Sequence, residues 1–143
     1  MREILFRGKR LQGGNWVEGY FFKSDINKRE RESKKATLIF TPDCDTFIMV
    51  PECHNSFMVV SDTVGQYTGL LDKNGKRIFE GDIAKVLQGK DKDIAYVGFE
   101  NGAFMLYPKT GNLYERTLWE YWYNDWDVEV IGNIHDNPEL LEK

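Results

Sequence analysis

Cysteine and histidine are scarce in this chain: Cys44, Cys53, His54 and His135 are all it has in 143 residues. A structural zinc site wants four such ligands, usually with paired Cys-x-x-Cys spacing. Here Cys44 and Cys53 are nine residues apart and Cys53 adjoins His54, a poor arrangement for chelating one ion. No metal and no other cofactor is therefore expected. Nucleophilic chemistry is weakly served too. Neighbours in an extended strand point to opposite faces, so Cys53 and His54 would not bond each other there, and His135 could act as a base only if the fold brought it close. Two thiols without a secretory leader read as reduced, in a cytoplasm. No apolar run approaches the roughly 18 residues that span a bilayer, so no membrane partner is expected.

Positive charge is also in short supply. The net charge of −4 argues against a protein that coats nucleic acid, since phosphate contacts need clustered lysine and arginine. The distribution is uneven. Lys23 to Lys35 holds six basic residues (Lys23, Lys28, Arg29, Arg31, Lys34 and Lys35) against three acidic ones, a net of +3. Asn112 to Lys143 holds eight acidic residues and two basic, a net of −6. The plain reading is a solvated loop and an acidic surface. The sharper one makes Lys28, Arg29, Arg31, Lys34 and Lys35 a basic contact loop that steers a partner.

No phosphate cradle is present. The glycines at 65, 69, 75 and 81 fit neither a Gly-x4-Gly-Lys-Ser/Thr loop nor a strand-Gly-x-Gly-x2-Gly-helix unit. They punctuate turns instead. Asn74-Gly75 lies between Leu70-Leu71 and Ile78-Phe79, and Asn101-Gly102 between Ile94–Phe99 and Ala103–Tyr107. Asn-Gly between apolar runs marks a tight hairpin, with positive φ available at both residues. Gly81-Asp82 forms a further bend, where glycine takes an unusual φ and the aspartate bonds nearby amides. Glu80 and Asp82 form an acid–base pair only if they converge on a pocket, and the turn reading is preferred.

What the chain does have is aromatic residues: four Trp, seven Tyr and nine Phe, 14% in all. These favour strands and leave spare rings for an interface. Glu3–Arg10 and Trp16–Phe22 read as a hairpin around Gln12-Gly13-Gly14-Asn15, apolar on both faces. Ala36–Phe40 and Thr46–Val50 read as strands, and Ser24–Lys35 as a mobile loop. Asn112–Trp126 is the helix candidate, with Asn112 as cap and Glu115 completing a box. On it Leu118, Trp119, Trp122, Tyr123 and Trp126 share one stripe. Asn137-Pro138 starts a last helical turn. The length fits a single domain over 1–143, with a β subdomain over 1–60 and the remainder over 61–143.

Three blocks carry a resemblance. The opening Arg2-Glu3-Ile4-Leu5-Phe6-Arg7-Gly8-Lys9-Arg10, the central run from Val64 to Val86, and the closing Glu129–Leu141 together resemble the YopX family of phage and prophage proteins. The resemblance implies a mobile-element origin and a β-rich fold with an SH3-like portion. It brings no activity with it, because the family has none established. The expected fold is mainly β with a short helix, an N-terminal β-hairpin subdomain, and an SH3-like barrel from about Ile78 to Phe104 plus Val128 to Ile134.

The expected function is a non-enzymatic accessory binding protein in the host cytoplasm, acting through protein contacts and self-associating. Trp119, Trp122, Tyr123 and Trp126 would be the interface, because indole and phenol rings bury much area at small entropic cost. A host or phage protein is the other expected partner. The alternative is a nucleic-acid-associated accessory factor of phage DNA metabolism, its rings stacking bases. The carboxylates around those rings oppose it.

Overall fold

The computed structural model describes residues 2–24 and 45–142. The basic loop with Lys28, Arg29, Arg31, Lys34 and Lys35, the strand expected at Ala36–Phe40, and Cys44 lie outside the described residues. Two compact units divide the chain, Glu3–Gln66 and Tyr67–Lys143, with Arg2 grouped in the second. Both are built mainly from antiparallel strands.

In the first unit, strand β1 (Phe6–Lys9) pairs with β2 (Trp16–Lys23), so that Phe6 faces Gly19 and Lys9 faces Trp16. Gly13 and Gly14 turn the chain between them at φ 88° and 70°. Strand β3 (Thr46–Val50) continues the sheet from β2, and β4 (Asn55–Met58) from β3. Ile48, Thr46 and Val59 are fully buried. Gly19 is required for this pairing: a Cβ there would overlap the Met49 backbone. The two-sided apolar character of β2 persists in the fold, where Tyr20, Phe21 and Phe22 stay partly exposed. Phe21 leans on Phe6 and Phe22 stacks on Phe47.

Strand β5 (Gly65–Leu71) begins in the first unit, Gln66 facing Phe6 and Gly65 facing Arg7, and runs on into the second. There it pairs with β6 (Arg77–Phe79) through Tyr67↔Phe79 and Leu71↔Arg77. Four residue steps on β5 thus oppose two on β6, so Thr68-Gly69-Leu70 bulges out of register. Gly69 takes φ 86°, and the Thr68 hydroxyl bridges to the Ile78 carbonyl at 2.8 Å. A five-stranded antiparallel sheet follows. Its order is β10 (Arg116–Thr117), β9 (Ala103–Pro108), β8 (Asp91–Glu100), β7 (Asp82–Gln88), β11 (Asp127–Asn133). The core of this unit gathers Ile78, Val86, Val97, Leu106, Leu118 and Tyr121, with Val128 from β11.

Several local expectations change. The helix is six residues long, α1 (Leu118–Tyr123), not Asn112–Trp126, and Thr117 caps it in place of Asn112. Glu115 cannot complete its box, because Arg116 and Thr117 are held as a strand on Leu106 and Met105. Tertiary pairing has overridden the helical period there. Gln88–Asp93, polar throughout, lies in a hairpin in which β7 and β8 stay paired to Gln88↔Asp91 around Gly89-Lys90. The final turn at Pro138–Leu141 is 3₁₀, with Pro138 at its start.

Candidate functional site

The second unit presents an aromatic helix face between two clefts. Helix α1 is short, and its ends fix it. The Thr117 hydroxyl accepts from the Glu120 amide at 3.2 Å, while Glu120 Oε2 accepts from the Thr117 amide at 3.0 Å. This reciprocal box satisfies two amide donors at the helix start. Asn124 closes the other end, its Nδ2 donating to the Glu120 carbonyl at 2.7 Å. Asp125 then takes φ 52° and turns the chain toward β11.

The inward side is held by Leu118 and Tyr121, both fully buried. The Tyr121 hydroxyl donates to the Tyr114 carbonyl at 2.7 Å, and Trp126 meets the ring edge-on at 4.9 Å. Burial pushes the Tyr121 phenol up from its ordinary range. On the outer side Trp119, Trp122 and Tyr123 are 56%, 52% and 67% exposed. Trp119 and Tyr123 stack at 4.9 Å with planes 19° apart. Tyr114 adds a fourth exposed ring. The expected stripe is therefore split: Leu118 points inward and Trp126 is half-buried, whereas Trp119, Trp122 and Tyr123 face solvent. Tyr121, absent from that stripe, is the real anchor. With only six helical residues, the 3.6 period cannot fix which side is buried.

Two clefts share Leu70 and Leu118 in their walls. The larger, about 510 Å³, is lined mostly by apolar groups of Leu70, Ala103, Phe104, Leu118 and Trp119, with Arg2 also on its wall. The smaller, about 180 Å³, has Trp122, Trp126 and Ile78 beside Asp72, Asp125 and Lys73. Lys73 pairs with Glu129 at 3.2 Å. Asp72 is buried, and burial pushes its carboxyl up, but three backbone amides outweigh that and hold it below the usual range. Those amides belong to Asn74 (2.8 Å), Lys76 (2.9 Å) and Val130 (3.0 Å). The carboxylate is thus ionised near neutral pH and locks the β5–β6 turn to β11.

The turn residues take structural positions. Asn101 and Gly102 both have positive φ, 50° and 80°, in a two-residue reversal closed by Glu100↔Ala103. At Asn74-Gly75 only Gly75 does, at φ 80°, which corrects the expectation of two positive angles. Asp72 makes the difference, accepting from both Asn74 and Lys76 and so holding a wider turn. Gly81 sits at φ 87°, and the Asp82 carboxylate accepts from the Phe79 amide at 2.8 Å. Cys53 and His54 lie in the turn between β3 and β4, not in a strand, and the Cys53 thiol points back to the Val50 carbonyl at 3.8 Å. His135 follows β11, with Nε2 near Gly81. Among the described residues no three His, Cys, Asp or Glu side chains converge as metal ligands.

Sequence reasoning missed Asp72, Asp93 and the rings on the β8–β9 hairpin. Asp93 is buried and accepts from the Thr110 amide and hydroxyl, the latter at 2.7 Å. Burial raises its carboxyl, but these bonds and one from Ile94 hold it low. On the outer face Tyr96 and Tyr107 stack at 4.9 Å, and Tyr107 covers Gly98. The Tyr107 hydroxyl donates to Glu100 at 2.6 Å, which pushes the phenol up to about 12. An aspartate two residues before Asn-Gly was the available signal for Asp72. Nothing local marked Asp93, whose partner is 17 residues away.

Among known proteins, the chain has a structural relative in the crystal structure of protein EF1440 from Enterococcus faecalis. The likeness has a TM-score of 0.55 at 23% identity and covers 99% of this chain and 100% of that one. At that identity it speaks to the fold alone. No curated protein matches the chain. The family model described as YopX protein matches residues 5–142, nearly the whole length. The chain belongs to the YopX family.

Proposed function

We propose that this protein is a non-enzymatic binding module whose α1 face is covered by another protein, a second copy of the chain being the first partner to test. The observation that supports this reading is the exposure of Trp119, Trp122 and Tyr123 on one side of a helix whose other side is fully buried. Such rings are favoured anchors in interfaces, and each truncation of a central one costs about 2 kcal/mol or more of association. Trp119 and Tyr123 stack on each other, and such aromatic side chains lose little entropy on docking. An accessory role in a phage or prophage, within the host cytoplasm, is the setting that the family suggests. Nucleic-acid association is the weaker reading, because Glu120, Asp125 and Asp127 flank the rings and would repel phosphate.

Sedimentation of the full chain beside Trp119→Ala and Trp122→Ala, with far-UV spectra of each, tests the proposal. Both side chains are about half exposed, so the variants should fold. A wild-type oligomer that dissociates in folded variants supports the interface. A wild-type monomer at high concentration, or an oligomer indifferent to both changes, removes the claim of self-association through this face.

A further inference from the structure

The two clefts beside α1 differ in chemistry, and they share Leu70 and Leu118 as a common wall. One side offers a mostly apolar hollow of about 510 Å³, room for a branched aliphatic side chain or more, lined by Phe104 and Trp119 with Arg2 also on its wall. The other offers an indole, Trp122, beside the carboxylates of Asp72 and Asp125. Lys73, the cation on that wall, is held by Glu129. Asp72 is kept ionised by its three amide donors, and Asp125 is exposed on a left-handed turn directly after the helix. An aromatic face next to the exposed Asp125 carboxylate attracts a cation twice over, by charge and through the ring quadrupole.

We propose that this groove takes an extended segment of a partner protein in which an apolar side chain is closely followed by lysine or arginine. The apolar side chain fills the hollow between Leu70, Phe104 and Trp119, and the cation settles over Trp122 toward Asp125. The residues of the β5 bulge, Thr68-Gly69-Leu70, line the hollow. Gly69 has open space around its missing side chain, so the bulge leaves the rim unobstructed. Charge beside Trp122 decides the occupant: an acidic segment would meet the exposed Asp125 carboxylate, with Lys73 held by Glu129, and a nucleic acid would meet the same repulsion. The proposal rests on the reading of the α1 face as a protein-binding surface and names the chemistry of what covers it.

The test uses three synthetic peptides with one leucine anchor, differing only in whether the two flanking positions carry arginine, glutamine or glutamate. Binding to the full chain is followed by tryptophan fluorescence. The arginine peptide should bind about five-fold more tightly than the glutamine peptide, as expected for one partly exposed charge pair, and the glutamate peptide more weakly still. Asp125→Asn keeps a residue that tolerates the left-handed turn and removes only the charge. It should bring the arginine and glutamine peptides to within about two-fold of each other. Trp122→Ala should weaken both. Equal binding of all three peptides, no binding, or a preference unmoved by Asp125→Asn overturns the proposal. If Trp119→Ala and Trp122→Ala still dissociate an oligomer while the peptides fail, only the partner chemistry is wrong. If they do not, the binding face itself is wrong.

Discussion

Replacing Asp72 by alanine should destabilise the second unit more than any other single change at a turn. The wild-type carboxylate accepts three backbone hydrogen bonds, from Asn74 and Lys76 within the turn and from Val130 on β11. Alanine leaves all three donors without that acceptor. The two turn amides can reach water, so each costs about 1 kcal/mol. The Val130 amide lies within a paired strand and costs about 1.5–2 kcal/mol. The total of about 3.5–4 kcal/mol is a large share of a typical folding free energy of about 5–15 kcal/mol. Urea unfolding at neutral pH measures it directly. The pH dependence follows from the direction of the shift. A carboxyl with a depressed folded pKa contributes stability that is fully present above its unfolded pKa, near 3.8, and lost as pH falls through the folded value. The gap between wild type and Asp72→Ala should therefore narrow at about pH 2 relative to pH 7. A gap under about 1 kcal/mol at pH 7, or one unchanged by acid, would refute this account of the carboxylate.

Other predictions concern the strands and turns around it. Gly75→Val meets no neighbouring atom but must hold φ 80°, so it should cost roughly 1–2 kcal/mol of strain, read as a lower urea midpoint at unchanged slope. Gly19→Ala should open the β2–β3 pairing by driving a Cβ into the Met49 backbone, seen as faster amide exchange at Ile48 and Met49 with little change in β7–β9. Tyr107 should titrate near pH 12 in a ring-carbon NMR titration, and Glu100→Gln should return it toward the ordinary phenol value by removing the acceptor charge. No downward move in that variant would mean Glu100 is not the cause.

The β-rich class and most strand positions were legible because the relevant signals are local. Asn101-Gly102 between apolar runs marks a hairpin by itself, and the structure places a two-residue reversal there. The helix was legible only in part. Its aromatic spacing pointed to Asn112–Trp126, yet Arg116 and Thr117 pair with β9, and that long-range contact sets the true start. The candidate site was half visible. Trp119, Trp122 and Tyr123 could be named from their residue types, but the inward turn of Tyr121 depends on a hydroxyl meeting the Tyr114 carbonyl. The clefts could not be foreseen, since the larger is lined by the bulge in β5, which follows from a register between distant residues.

The central claim is that the outer face of α1 is an interface, and fluorine NMR of protein labelled with 5-fluorotryptophan tests it most directly. The four indoles at positions 16, 119, 122 and 126 give separate reporters, two of them on the proposed face. As protein concentration rises, the signals of Trp119 and Trp122 should shift and lose their sensitivity to solvent isotope, while Trp16 and the half-buried Trp126 hold still. Association that leaves Trp119 and Trp122 unchanged, or that moves only Trp16, would contradict the account.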